Sequence, residues 1–335
     1  MGDVALCTGP LLRWHEDFGL NFTMLTRAAF VPLFDHHPAI QKVIGLEKNQ
    51  MHGKALREMF RNITADHAGA TLVDLHGVPR TRLLSLMWKG PVYRYPKLAL
   101  TRRLFLLSGG RLGRAALLEH TVPQRYASAL DSLFPSSGWT PSDLRPRFFL
   151  SDEEKAEAAA NLAELKDKYN APLIALHPFA THPSKAWPVQ RWQEFSTQLS
   201  ERAIPHIWVG QGDAEVAPLS PFALNFINKT SLRQLIALLD AADLLVTGDS
   251  GPMHLADGVD TPVLALFGPT CREWGFFPSG SHDRVLQQEL NCRPCSLHGG
   301  GKADGSCPRN HACMMSISAP AVLREAGKLL PELEG

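Results

Sequence analysis

The chain has 335 residues, enough for two domains of ordinary size, and 44% hydrophobic with 20% charged residues are globular proportions that exclude a disordered chain. A formal net charge of +1 names no partner by itself, so only local clustering of charge is informative. No apolar run approaches the length of a membrane span and the N-terminus lacks the basic-then-apolar pattern of a secretion signal, so a cytoplasmic protein is expected, its six cysteines serving as thiols or metal ligands rather than a disulfide framework.

In chain order, Thr8-Gly9-Pro10 opens a helix, and residues 20–26 alternate like a strand. Residues 29–34 read as a short helix, 43–46 as a strand, 53–66 as a helix and 70–76 as a buried strand. Strands alternating with helices imply a parallel, doubly wound sheet. Between residues 80 and 125 the character changes. Arg80, Arg82, Lys89, Arg94, Lys97, Arg102, Arg103, Arg111, Arg114 and Arg125 are opposed only by Glu119, with Trp88, Tyr93, Tyr95 and Phe105 interleaved. Such a stretch is commonly a solvated helix face; as a binding feature it attracts anions. No nucleic-acid motif accompanies it, so an anionic substrate or membrane surface ranks ahead of nucleic acid.

Loop residues 136–141 and Pro146 lead out of the first domain, and Ser151-Asp152-Glu153-Glu154 is a strong helix start. The boundary is placed there, giving domains 1–150 and 151–335. The second half repeats the rhythm: strand 173–177, helix 188–200, strand 205–210, strand 222–227 and helix 232–241. Residues 244–247 form a strand that runs into Gly248-Asp249-Ser250-Gly251-Pro252-Met253-His254, a turn with N-cap residues and a proline suited to the first helical position. Residues 263–268 are the next strand, and 319–333 a C-terminal helix able to pack on either domain. The turn at 248–254 exposes backbone N–H groups at the carboxyl edge of a sheet, a place suited to phosphate. Segment 177–188 lies between a strand and a helix and offers the hydroxyls of Thr181 and Ser184 and the mobile charge of Lys185, either a surface loop with one incidental lysine or a second positive lip for a diphosphate. Neither a phosphate-binding P-loop nor a G-x-G-x-x-G follows a strand.

These segments resemble glycosyltransferase family nine, the lipopolysaccharide heptosyltransferases, and most of all the heptosyltransferase II type. The resemblance rests on Gly2-Asp3-Val4 with Thr8 to Leu12; on Val73-Asp74-Leu75-His76-Gly77 with Arg80 and Arg82; on 177–192; on 243–270; and on the cysteine-rich tail. It implies an α/β protein of the GT-B fold, two Rossmann-like doubly wound domains facing across a cleft, with acceptor on the first and sugar nucleotide on the second. It also implies inverting transfer of heptose from ADP-heptose to the lipopolysaccharide inner core, with no cofactor required. By the same resemblance Asp3 is the general base and Lys185 the phosphate-binding lysine. Asp249, Ser250, Gly251, Pro252, Met253 and His254 contact the donor, with Glu215 toward the ribose and Asn228 near the adenine. Arg80 and Arg82 face the acceptor.

Two departures carry expectations. Family members usually have an apolar strand before Gly-Asp-Val; here it is missing, so either the true start lies upstream or Asp3 is poorly positioned. Phe179 stands where the family commonly has glycine, which predicts a crowded donor loop. Cys292, Cys295, Cys307 and Cys313 have spacings open to structural zinc, to an iron–sulfur cluster or to plain reduced thiols. The alternatives to a heptosyltransferase are a relative using another sugar nucleotide and a sugar-nucleotide-binding module without turnover.

Overall fold

The computed structural model describes residues 1–213, 220–297, 299, 307 and 309–334. In the first half, β1 (Phe22–Arg27) pairs in parallel with β2 (Ile40–Leu46), and β3 (Leu72–Asp74) pairs in parallel with β4 (Val92–Arg94). Among the described residues these are two separate two-stranded ladders rather than one sheet. Residues Gly2–Ala5 are a single helical turn, with the Ala5 N–H donating to Met1 O at 3.0 Å, followed by the helix Thr8–Phe18.

The second half holds a six-stranded parallel sheet in the order β10-β9-β8-β5-β6-β7. Its strands are β5 (Ile174–His177), β6 (His206–Trp208), β7 (Ala223–Asn225), β8 (Leu244–Gly248), β9 (Val263–Phe267) and β10 (Arg284–Gln287). From β5 the chain winds outward through β6 and β7, returns to lay β8 on the other side of β5, and winds outward again. The reversal leaves a crevice at the carboxyl ends of β5 and β8, where open α/β sheets bind ligands.

Both faces of this sheet are covered, which is why its strands read as continuous apolar runs. Ile174, Leu176, Leu244, Val246, Leu264 and Leu266 point into a cluster with Trp187, Trp192, Phe195 and Trp208. The intervening Ala175, Leu245, Val263, Ala265 and Phe267 point the other way, into a core shared with Leu11, Trp14 and Tyr126 of the first half. The halves therefore rest on a common apolar cluster. The C-terminal helix is shorter than expected, Ala319–Gly327 followed by a 3₁₀ turn at Pro331–Glu334. Pro331 accounts for the break, since it disfavours helix in the residue before it. This helix covers the second half, packing on the helix Val189–Glu201 and on β10. No helix among the described residues is long and apolar enough to cross a membrane.

Candidate functional site

Three strand ends supply the site. β5 runs into the loop that ends in a 3₁₀ turn at Pro183–Lys185, β8 runs into Asp249 and Ser250, and Thr270 follows β9. Lys185 Nζ lies 2.6 Å from Asp249 Oδ2, and Thr270 Oγ1 donates to the same oxygen at 2.7 Å. Both charged side chains are 13% exposed, so their attraction is only partly screened.

Beneath this pair His177 Nδ1 is 2.9 Å from Thr247 Oγ1 and 3.3 Å from Ser250 Oγ, and the two hydroxyls are 3.0 Å apart. Burial pushes His177 down to about 4, so the ring is neutral near pH 7. Ser250 occupies the N-cap position of the helix Gly251–Asp257, but its side chain makes no cap bond. The expected cap is replaced by the part-buried contact with Thr247 and His177, which leaves the first-turn N–H groups of that helix without a side-chain acceptor among the described residues. Ser184 instead donates to Gly299 O, and a Cβ on Gly299 would lie 2.6 Å from Lys185 Cε, so the tail folds over the lysine stem.

The N-terminal turn reaches this region from the first half. A Cβ on Gly2 would stand 3.1 Å from the His254 ring, and one on Gly251 would meet Met1 Cε at 2.4 Å, so two glycines let the segments touch. Asp3 is exposed and near enough for its charge to act on His76, Tyr95, Tyr126 and His254. It sits on a helical turn packed against the helix Gly251–Asp257. His254 is buried with Nδ1 unpartnered among the described residues, and burial lowers its pKa.

Other expected residues fall elsewhere. Thr181 is exposed. Asn228, with φ 58°, accepts from Gly212 N at 3.0 Å and donates to Gly212 O at 2.8 Å, clamping the loops after β6 and β7 together. Glu215 lies outside the described residues. Arg82 lines an open depression of about 570 Å³ with Gly77, Pro79, Leu83 and Leu86 on the first half, and Arg80 is close enough to act on His76. Phe179 is accommodated rather than crowding its neighbours, because positions 210 and 212 are glycine: a Cβ there would stand 2.8 and 2.3 Å from its ring. None of the four tail cysteines is joined in a disulfide among the described residues. Cys292, Cys295 and Cys307 all act electrostatically on Cys313, yet no group of three or more His, Cys, Asp or Glu among the described residues is arranged to hold a metal ion. Thr247 and Thr270 were missed in the sequence; their signal was position, one at the end of β8 and one just past β9.

Comparison with known proteins bears on this geometry. The sequence pattern of "Glycosyltransferase family 9 (heptosyltransferase)" matches residues 101–299. Lipopolysaccharide heptosyltransferase 2 of Salmonella typhimurium is 29% identical over 201 residues, covering 56% of this chain and 55% of that protein. The alignment thus spans about half the length of that curated relative. A glycosyl transferase family 9 structure from Veillonella parvula superposes with a TM-score of 0.73 at 20% identity, over 100% of this chain and 95% of that one. The structure of E. coli ADP-heptose lps heptosyltransferase II gives 0.69 at 21% identity, over 98% and 96%. At those identities the superpositions speak for the fold, which is GT-B.

Proposed function

Because the chain belongs to glycosyltransferase family 9, we propose that it transfers heptose from ADP-heptose to the inner core of lipopolysaccharide, with inversion at the transferred carbon. The observation that carries this reading is the Lys185–Asp249–Thr270 cluster at the carboxyl ends of three strands, at the reversal of the sheet. Division near residue 150 into an acceptor half and a donor half is part of the same proposal.

An inverting transfer needs a base for the acceptor proton and positive charge where the diphosphate leaves. In this reading Lys185 exchanges its contact with Asp249 for a diphosphate oxygen. The N–H groups at the start of Gly251–Asp257 face the same anion with Ser184 nearby, while Asp249 and Thr270 hold the lysine between turnovers. Asp3 takes the proton of the attacking hydroxyl, on the turn that meets Gly251 and His254. Asn228 sets the loop wall toward the base of the nucleotide. Arg80 and Arg82 meet acceptor anions beside the depression at Gly77 and Pro79. The cysteines do not gather as a metal-ligand set among the described residues, and no step is assigned to a metal. An inner-core acceptor is membrane-borne, so the reading includes a cytoplasmic enzyme in peripheral contact with an anionic membrane surface through the basic first half.

Incubation with ADP-heptose and a heptose-deficient core acceptor tests the proposal by mass spectrometry of the acceptor. A heptose-sized mass gain is expected. ADP release without transfer, or nucleotide binding without ADP release, would overturn it in favour of a hydrolase or a binding module.

A further inference from the structure

Six of the ten exposed large apolar side chains among the described residues fall between positions 86 and 118: Leu86, Leu100, Leu104, Leu107, Leu112 and Leu118. The helix Ala99–Leu107 places three of them on one stripe, at positions i, i+4 and i+7, with exposures of 80, 48 and 85%. Its opposite face is committed elsewhere. Phe105 is 2% exposed and meets Trp274 edge-on at 5.6 Å, and Arg102 donates to Trp274 O at 3.0 Å. The leucine stripe is therefore not a core face awaiting a better fit within the chain. The helix is fixed to the second half by one side and bare on the other. The helix Arg114–Leu118 is seated on it through Gly113, where a Cβ would stand 2.7 Å from Thr101 Cγ2, and this brings Leu112 and Leu118 alongside.

The charges around this stripe all but share one sign. Arg103 and Arg111 are exposed with no ion-pair partner among the described residues, and Glu119 is the one acid between positions 80 and 125. Leucines rimmed by unpaired arginines suit the boundary between lipid headgroups and acyl chains, where apolar side chains enter and guanidinium groups meet phosphates. We infer that the outward face of Ala99–Leu107, with Arg103, Arg111 and Leu112, is a docking surface for an anionic phospholipid bilayer. This deepens the membrane clause of the proposed function by assigning it residues. A nine-residue helix buries little apolar area, so docking is reversible and dependent on anionic lipid.

The test is co-sedimentation of the full chain with vesicles of phosphatidylglycerol and phosphatidylcholine, set against pure phosphatidylcholine vesicles. Binding is expected only to the former, weakened by salt. It is lost in Leu100→Glu/Leu104→Glu/Leu107→Glu and falls about tenfold or more in Arg103→Glu/Arg111→Glu. Thermal melting and heptose transfer to a water-soluble acceptor fragment remain as in the parent. If the triple variant fails to fold, Leu100→Ser/Leu107→Ser decides. Equal binding to both vesicle types, binding to neither, or undiminished binding of the leucine variants overturns the inference. A chain that docks but transfers no heptose sinks only the functional reading, and one that transfers but never docks sinks only this one.

Discussion

Lys185 has the most to lose by substitution. Its ammonium group, 2.6 Å from Asp249 and 13% exposed, is bonded directly to the carboxylate at the sheet reversal. Replacing Lys185 by Ala should lower kcat by about 10²–10³ while the chain still folds, as expected when a group that stabilises a developing charge is removed. Thr270→Val removes only the neighbouring donor to Asp249, so a smaller loss, about tenfold in kcat/KM, is expected in the same assay. Unchanged turnover in Lys185→Ala would show that the diphosphate is held elsewhere. His177 and His206 carry a separate consequence. Burial pushes both down to about 4, from 6.5 when unfolded. Between pH 6.5 and 4 the unfolded chain takes up protons that the native rings refuse, so stability falls as the pH drops, by at most about 3 kcal/mol for each ring. Thermal melts across that window should show the fall, and His206→Gln should flatten it; an unaltered slope would trace the acid sensitivity to other groups.

Residues 144–148, which lead toward the helix starting at Asp152, touch one helix of each half. Gly9 of the helix Thr8–Phe18 leaves no room there: a Cβ would lie 2.1 Å from Arg145 O and 2.4 Å from Leu144 O. These are backbone atoms and cannot swing aside. Gly9→Ala, which would ordinarily favour a helix, should instead destabilise by about 2 kcal/mol or more, read as a drop in Tm. The same segment grips the far end of the helix Gly251–Asp257, where Arg145 Nε meets Asp257 Oδ1 at 2.5 Å and Phe148 N donates to Gly258 O at 3.0 Å. Much of the element order was legible in the sequence. Strands β5, β6, β8 and β9 announced themselves as apolar runs buried on both faces, and the Ser151–Glu154 capping box set the start of its helix at Asp152. The short ladder partners β4 and β10 were missed, because three or four residues carry too little periodicity to separate from a loop. The site was legible as a lysine and a glycine-rich turn. What the sequence could not show was the role of Ser250, whose hydroxyl turns inward to Thr247 once β5 and β8 lie side by side. Nor could it show the N-terminal turn reaching across to His254.

At the scale of the whole molecule, the halves meet through arginines. Arg102 and Arg125 both donate to Trp274 O, at 3.0 and 2.9 Å, and Arg114 Nε meets Glu273 Oε1 at 2.9 Å. Arg125 is 1% exposed with no carboxylate bonded to it among the described residues, and burial lowers its pKa to about 10. The Lys185–Asp249–Thr270 cluster lies wholly within the second half, whereas Asp3, the base of the proposed mechanism, arrives from the first. Loosening the contact between them should therefore separate nucleotide affinity from chemistry. Arg114→Ala, 64% exposed and outside the cluster, should leave the Kd for ADP within about twofold while lowering kcat. Calorimetry beside steady-state rates would show it, and a parallel loss of both would argue against a base delivered from the other half.

The pairing of β5 with β8 joins residues as far apart as His177 and Thr247, with two other strands made between them. During synthesis on the ribosome, the crevice cannot exist until the second partner has emerged, long after the lysine loop has left the exit tunnel. Closing so distant a contact is slow compared with helix formation. A nascent chain should therefore acquire nucleotide binding late and abruptly, and until then the apolar edges of β5 are a surface for chaperones to cover.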